Sequence, residues 1–368
     1  MIRRVLMENF KCFGSQEIQL GGITVLAGLN GAGKSSVMQA LLLLRQSGLD
    51  VDGNPAALRW QGDLVDVGSF DEVLYDKAEQ DTIVLEASFQ SPHAIYVQVA
   101  RTDTGDDPIP NLLGFSGASE SSLYRWRMFY LGADRLGPQK TFPFFGQGHQ
   151  AHTPLGTRGE HVLWYLEKHG NSVIPAPLRF PDTPKDTLAA HTDAWLRVVS
   201  PGAELRMQPY ESADIASAGF AFYQKGDVTT RRFRSTNVGF GLSYALPVIV
   251  ALLSVRDDDL VMIENPEAHL HPAGQTKLAE LAARAAATGV QVVLETHSDH
   301  VLDGVRLAVR KSVVAAEQVT LHYFQRDGMS VEVKTPVIRP NGRLDDWPDG
   351  FFDQHEKNLA ELIAPPNQ

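Results

Sequence analysis

One cysteine, Cys12, in 368 residues excludes an intrachain disulfide. A chain so poor in cysteine is most simply expected in the cytoplasm. No window of about 18 or more apolar residues occurs, so no segment is expected to span a membrane. The N-terminal stretch "MIRRVLMENFKCFG" is basic, but its apolar part is too short and interrupted for a signal peptide. There is no heptad run, which excludes a long coiled coil, and no internal repeat. Positive charge is also in deficit: 33 Lys and Arg stand against 44 Asp and Glu, a net charge of -11. Contact with nucleic acid would need a local basic patch. What is present, 43% hydrophobic and 21% charged residues, reads as globular. The length allows one large domain or two smaller ones.

Periodicity divides the chain. Strands are expected at "RRVLMENF", "QEIQL" and "ITVLAG", then a helix at "KSSVMQALLLLRQ" and strands at "TIVLEASF" and "AIYVQVAR". From residue 102 to 235 the pattern loosens. "TDTGDDPIPN" and "TFPFFGQGHQAHTP" are loop-like in their Gly and Pro content. Helices are expected there at "TRGEHVLWYLEKHG" and "KDTLAAHTDAWLRVV". From residue 236 helix and strand alternate: "GLSYALPVIVALLSV", "DLVMIEN", "AGQTKLAELAARAAA", "VQVVLETH", "SDHVLDGVRLAVRKS". That order predicts a parallel sheet with helices against it. A hairpin-like pair and a terminal segment close the chain. The expected divisions are 1–101 and 236–325 as two parts of one α/β head, 102–235 as an inserted α+β region, and 326–368 as a C-terminal cap.

The strongest motif is "GLNGAGKSS", Gly28 to Ser36, which fits G-x-x-x-x-G-K-S between a predicted strand and helix. Its glycines let the amides of Asn30, Gly31, Ala32, Gly33, Lys34, Ser35 and Ser36 curl around phosphate oxygens. Lys34 is placed to reach the terminal phosphates of ATP, Ser35 to hold Mg²⁺, and the helix N-terminus favours the anion. A second anion site is expected at "NVGFGLSYALP", where Gly241 and Ser243 open an apolar helix; the plainer reading is a capped core helix. His297 in "ETHSDH" falls at the C-terminal end of a predicted strand, where ligands of open α/β sheets bind. A lone histidine there would be read as structural, but this one follows the other phosphate-linked elements in order.

Together these pieces resemble an ABC-type ATPase of the SMC/RecF/OLD group. "IRRVLMENFKCFGSQEIQL" resembles the opening of that group, "IENPEAHLHP" its Walker B motif, and "NVGFGLSYALP" the degenerate signature of its compact members. "YLGADRLGP", "GTRGEHVLWYL" and "WPDGFFDQ" resemble a prokaryotic subgroup closed by a short C-terminal domain of unknown function. The resemblance implies an ABC-ATPase head, with ATP sandwiched between two copies so that the signature of one faces the phosphate loop of the other. It also implies DNA transactions or anti-phage defence, often with a separately encoded nuclease. A transporter-type "LSGGQ" is absent, which argues against membrane transport, and no coiled-coil arm is present. A nucleotide-sensing scaffold with negligible hydrolysis is the main alternative; a nuclease component is another, without a convincing metal constellation.

The Walker B stretch departs from the usual pattern. Glu264 stands for the usual metal-associated aspartate. Asn265 stands where the family has its catalytic acid, and an amide cannot be the base. Glu267, two residues on, is the next carboxylate, and Pro266 is expected to turn it back towards the nucleotide. Glu267 is therefore the favoured aid to water activation or to the dimer contact, the rival being that binding itself is the signal. Phosphoryl transfer rests mainly on positioning and electrostatics, so loss of one base need not abolish it. Weaker candidates are Gln61 as an Mg²⁺-sensing glutamine and Arg231, Arg232 and Arg234 as a DNA or cross-dimer phosphate contact, the latter equally well a solvated face. Asp134 and Arg135 are expected to form a structural ion pair. His269 and His271 have H-x-H spacing but no evident third ligand; Asp257 to Asp259 read as a strand cap.

Overall fold

The computed structural model describes residues 1–48, 58–90, 94–101, 123, 127–144, 153–224, 228–328, 330–348 and 350–363. "TDTGDDPIPN" therefore lies outside the described residues, as does most of "TFPFFGQGHQAHTP". Along the chain run β1 (Ile2–Phe10), β2 (Phe13–Gln19), β3 (Ile23–Gly28), α1 (Lys34–Ser47), α2 (Phe70–Val73), β4 (Thr82–Phe89), β5 (Ala94–Ala100) and β6 (Met128–Leu131). There follow β7 (Phe142–Pro143), α3 (Val162–His169), α4 (Leu188–Val199), β8 (Ala203–Tyr210), β9 (Ile215–Gln224), β10 (Val228–Thr229) and β11 (Phe233–Arg234). The last part holds α5 (Phe240–Leu253), β12 (Leu260–Glu264), α6 (Pro272–Ala286), β13 (Gln291–Thr296), α7 (Asp299–Arg310), β14 (Val319–Asp327), β15 (Ser330–Lys334) and α8 (Gln354–Ile363).

The site rests on a central sheet in the order β15-β14-β3-β13-β12-β6. Its four pairings from β14 to β6 are parallel, and β15 closes one edge antiparallel. Parallel strands covered on both faces read as unbroken apolar runs, and "LVMI" of β12 and "VVL" of β13 are such runs. Val261 and Ile263 face a core shared with α3 to α7; Leu260 and Met262 face the opposite core, shared with α1, β1, β4 and β5. Helix α5 is buried almost all round, which is why "SYALPVIVALL" shows no polar stripe.

An antiparallel sheet, β2-β1-β4-β5, covers the α1 side. A third sheet is built around β9, with β7, β8, β10 and β11 all antiparallel to it. It comes from the region expected to be an insertion, as do α3 and α4. One strand of that region behaves differently: β6, residues "MFYL", pairs in parallel with β12 inside the central sheet. Nothing local marks this, because a four-residue apolar run far from its partner carries no register information. The hairpin-like pair expected near the end of the chain is β14 and β15, and β14 lies directly against β3.

Candidate nucleotide-binding site

Strand β3 ends at Gly28, and the loop to α1 turns through three left-handed glycines, Gly28 (φ 138°), Gly31 (φ 72°) and Gly33 (φ 95°). Two of them have no room for a side chain. A Cβ on Gly28 would stand 2.2 Å from the Phe324 carbonyl oxygen, and one on Gly33 would stand 2.6 Å from Cys12 Sγ. The first close approach arises because β14 flanks β3, the second because the β1–β2 turn packs under the loop. Ala32 is fully buried beneath it.

Lys34 is only 3% exposed. Its ammonium donates to the carbonyls of Gly28 (3.0 Å) and Leu29 (2.7 Å), so it lies folded against its own loop. Burial holds it below the usual lysine range, opposed by the charges of Glu295 and Glu267. In front of the loop is a cavity of about 370 Å³. Asn30, Gly31, Gly33, Lys34, Ser35 and Ser36 line one side; Ala133, Glu264, Asn265, Glu295 and His297 line the other; Lys11, Cys12 and Gln39 close an end. A slightly larger cavity of about 410 Å³ lies at Tyr165, His169 and Ser254 to Asp257, before the start of β12, and contains no phosphate-loop residue. The chemistry of the side chains, not size, marks the smaller one as the site.

The acidic wall is built in steps. Glu264 ends β12, and both its oxygens are engaged: Tyr130 Oη donates to one (2.9 Å) and the Ala133 amide to the other (3.2 Å). Burial pushes its carboxyl up. The next residue, Asn265, is left-handed (φ 45°), a conformation that asparagine tolerates far better than glutamate. Its amide donates to the Glu295 carbonyl (2.8 Å). Pro266 then returns the chain, and Glu267 Oε1 accepts the backbone N–H of His297 (2.8 Å). The turn after β12 and His297 are thereby linked. His297 is exposed; partial desolvation and the Lys34 charge hold it below the ordinary histidine range.

These motifs match family models of ATPases. Residues 109–303, more than half of the chain, match the family described as "AAA domain, putative AbiEii toxin, Type IV TA system". The chain belongs to this AAA ATPase family. It is a P-loop ATPase. Residues 1–169 match the model "AAA ATPase domain", and residues 314–362 match "Protein of unknown function (DUF3696)". Among solved structures, the SmcHead bound to the C-winged helix domain of ScpA is 11% identical, with a TM-score of 0.53 over 92% of this chain and 98% of that one. An Smc head domain with an extended coiled coil, bound to the C-terminal domain of ScpA derived from Pyrococcus furiosus, is 11% identical, with a TM-score of 0.51 over 99% of each chain. At such identity the likeness shows the α/β fold alone. No curated protein matches the chain significantly in sequence.

Other expected residues of the ATPase lie away from this cavity. Gln61 is exposed, in an isolated bridge to Asp66. Gly241 and Ser243 lie in the first turns of α5 and do not line it. Ser243 is turned inward, 8% exposed, because α5 begins at Phe240 and its fourth residue faces the core. A Cβ on Gly241 would stand 2.7 Å from the His269 carbonyl oxygen. The exposed part of the signature is instead Gly239 and Phe240, the latter 55% exposed. Arg231, Arg232 and Arg234 are all exposed, and Arg232 is also bonded to its own sheet, at the Arg206 and Ser217 carbonyls and the Ser217 hydroxyl. His269 packs against the rings of Phe240 and Tyr244, and His271 caps α6 through the Ala273 amide. The two histidines thus serve different elements.

Three contributors were not legible. Arg135, expected to pair with Asp134, is 2% exposed and donates instead to the carbonyls of Gly132 (2.9 Å), Glu264 (2.5 Å) and Asn265 (2.6 Å). Asp134 pairs with Arg158 (3.0 Å). Tyr130, from β6, fixes Glu264. Glu295, the penultimate residue of β13, lies beside Ser35; burial and the Glu264 charge push its carboxyl up to about 7. An acid near the C-terminal end of an apolar parallel strand is the signal that could have found it.

Lys34→Ala removes a charge-assisted contact to phosphate, worth about 1.5–3 kcal/mol. ATP affinity measured by calorimetry is expected to fall about 10- to 100-fold; unchanged affinity would place the phosphates elsewhere.

Proposed function

We propose that this ATPase is a nucleotide-driven switch. Two copies close around ATP, hydrolysis is slow, and the closed form controls a separately encoded effector, of nuclease type, in genome defence or DNA maintenance. The observation that carries the reading is the separation of the two phosphate-binding elements. One cavity gathers the phosphate loop, Glu264 and His297, whereas the signature start at Gly239 and Phe240 lines none of it and is exposed. An aromatic ring and free amides at the head of a helix suit contact with a second copy's nucleotide. The resemblance to SMC/RecF/OLD ATPases supports that arrangement.

Mg²⁺ fits the donors present. Among the described residues no group of three or more His, Cys, Asp or Glu is placed to hold a metal by itself. A hard cation held by one hydroxyl, one or two carboxylates and the substrate's phosphates matches how Mg²⁺ is usually bound. When bound, the cation supplies charge neutralisation at the bridged phosphates. The chain's own residues do the remainder: the loop amides orient the phosphates, Lys34 leaves the Gly28 and Leu29 carbonyls for phosphate oxygens, and His297 stands at the far side. Glu267 holds His297 by its backbone with one oxygen and has a second, buried oxygen without a hydrogen-bond partner among the described residues. We assign it the role of aiding water activation. Exposed Arg231 and Arg234 are the proposed DNA contact, and Arg232 supports them from the sheet.

Nucleotide sensing with negligible hydrolysis is the second reading, favoured by Asn265, whose left-handed backbone suits an amide and disfavours glutamate. Glu267→Gln and Asn265→Asp separate the two readings, since aspartate also tolerates that backbone. Steady-state phosphate release is expected to fall about 100-fold or more in Glu267→Gln, as for loss of a general base, and to change little in Asn265→Asp. A large gain in Asn265→Asp would show that the amide is what limits turnover.

Association is tested at Gly239, where an added side chain meets no atom within 4 Å and φ is -59°. Gly239→Arg is therefore compatible with the fold. In light scattering with a non-hydrolysable ATP analogue and Mg²⁺, the parent chain is expected to double in mass and Gly239→Arg to stay monomeric. Equal behaviour of the two removes the signature from the contact.

A further inference from the structure

We propose that Glu295 is the carboxylate through which this ATPase holds its divalent cation, with Ser35, while Glu264 is kept back from the metal by Tyr130. The proposal deepens the reading of the cavity as an Mg²⁺–ATP site and rests on it.

Sequence position favours Glu264, at the end of the Walker B strand. The structure distributes the oxygens differently. In the parallel register Glu264 is the neighbour of Glu295, and Glu295 is in turn the neighbour of Leu26 on β3. Strand β13 thus stands between β12 and the phosphate-loop strand, and its penultimate residue, Glu295, is nearer the loop. Ser35 Oγ, the hydroxyl that a G-K-S loop offers to Mg²⁺, donates to Glu295 Oε1 at 2.8 Å. Glu295 is 5% exposed, and its Oε2 is buried with no hydrogen-bond partner among the described residues. Glu264, by contrast, has one oxygen on the Tyr130 hydroxyl and the other on the Ala133 amide.

A buried carboxylate oxygen without a donor is costly. The nearest cation, Lys34, is engaged by two carbonyls. A divalent cation at the Ser35 hydroxyl supplies what Oε2 lacks, and the carboxylate in turn orients the hydroxyl towards it. Glu264 then acts as the outer partner, fixed by Tyr130 and β6. Outer partners of this kind tune a site without being its principal donor.

The test is the cation requirement of nucleotide binding, read by a fluorescent non-hydrolysable ATP analogue, first in EDTA and then with Mg²⁺ titrated back; Mn²⁺ with the same analogue gives a spin-resonance signal for the metal itself. Glu295→Gln keeps an oxygen to accept from Ser35, so the fold is kept, and each chain's own metal-free affinity is the reference for its Mg²⁺ effect. Its Mg²⁺ requirement should rise about 10- to 100-fold, the usual effect of losing such a group, and bound Mn²⁺ should fall in parallel. Glu264→Gln should shift the requirement much less. An unchanged cation requirement in Glu295→Gln, or a greater loss in Glu264→Gln, overturns the assignment. A parent chain that binds the analogue equally well with and without cation overturns it too. A parent chain that binds no analogue in either condition contradicts the nucleotide site itself, and the assignment with it.

Discussion

A single buried guanidinium organises the acidic wall on which this site depends. Arg135 is driven below the usual arginine range, to about 10, by burial, with Glu267, Tyr244 and Glu264 opposing the shift. Removing such a charge from water is expensive unless its donors are used. Here its two terminal nitrogens bind the carbonyls of Gly132, of Glu264 at the end of β12 and of Asn265 in the turn after it. The consequence is geometric: the turn is pinned, Asn265 is held left-handed, and Pro266 and Glu267 are directed back to His297. A loop from β6 therefore decides how the Walker B strand ends.

This dependence explains which parts could be read from the chain. The phosphate loop was legible because its glycines, lysine and serine are adjacent in sequence. Strands β3, β12 and β13 were legible because burial on both faces leaves continuous apolar runs. The contribution of β6 was not, since Tyr130 meets Glu264 across 134 residues and no local pattern encodes such a pairing. Arg135 was misassigned to Asp134 by proximity in sequence; the buried carbonyls took its donors, and Asp134 found Arg158 at the surface. Ser243 was expected at an exposed helix start, but the helix begins early enough for that residue to face inward. Glu295 was hidden for a different reason. An acid closing an apolar strand reads as the point where the chain meets solvent, whereas here it meets Ser35.

The asparagine in the Walker B motif gains a structural meaning from its backbone. Residue 265 is where the chain reverses, and a left-handed residue there selects Asn over Glu. The carboxylates are arranged around it: Glu264 is tied to Tyr130, Glu267 to the His297 backbone, and Glu295 to the phosphate-loop hydroxyl. The departure from the family pattern thus leaves three carboxylates in the same wall. What the wall does not contain is the signature. Gly239 and Phe240 are exposed and line none of it, so the composite site proposed above needs a second copy.

That need is tested most directly by the specific ATPase activity of the purified chain across protein concentration, from nanomolar to tens of micromolar, with the association state followed by scattering in the same samples. The account predicts phosphate release per chain that rises with concentration and levels off where ATP-bound dimers saturate. Constant activity per chain down to concentrations at which the protein is monomeric with ATP bound would contradict it.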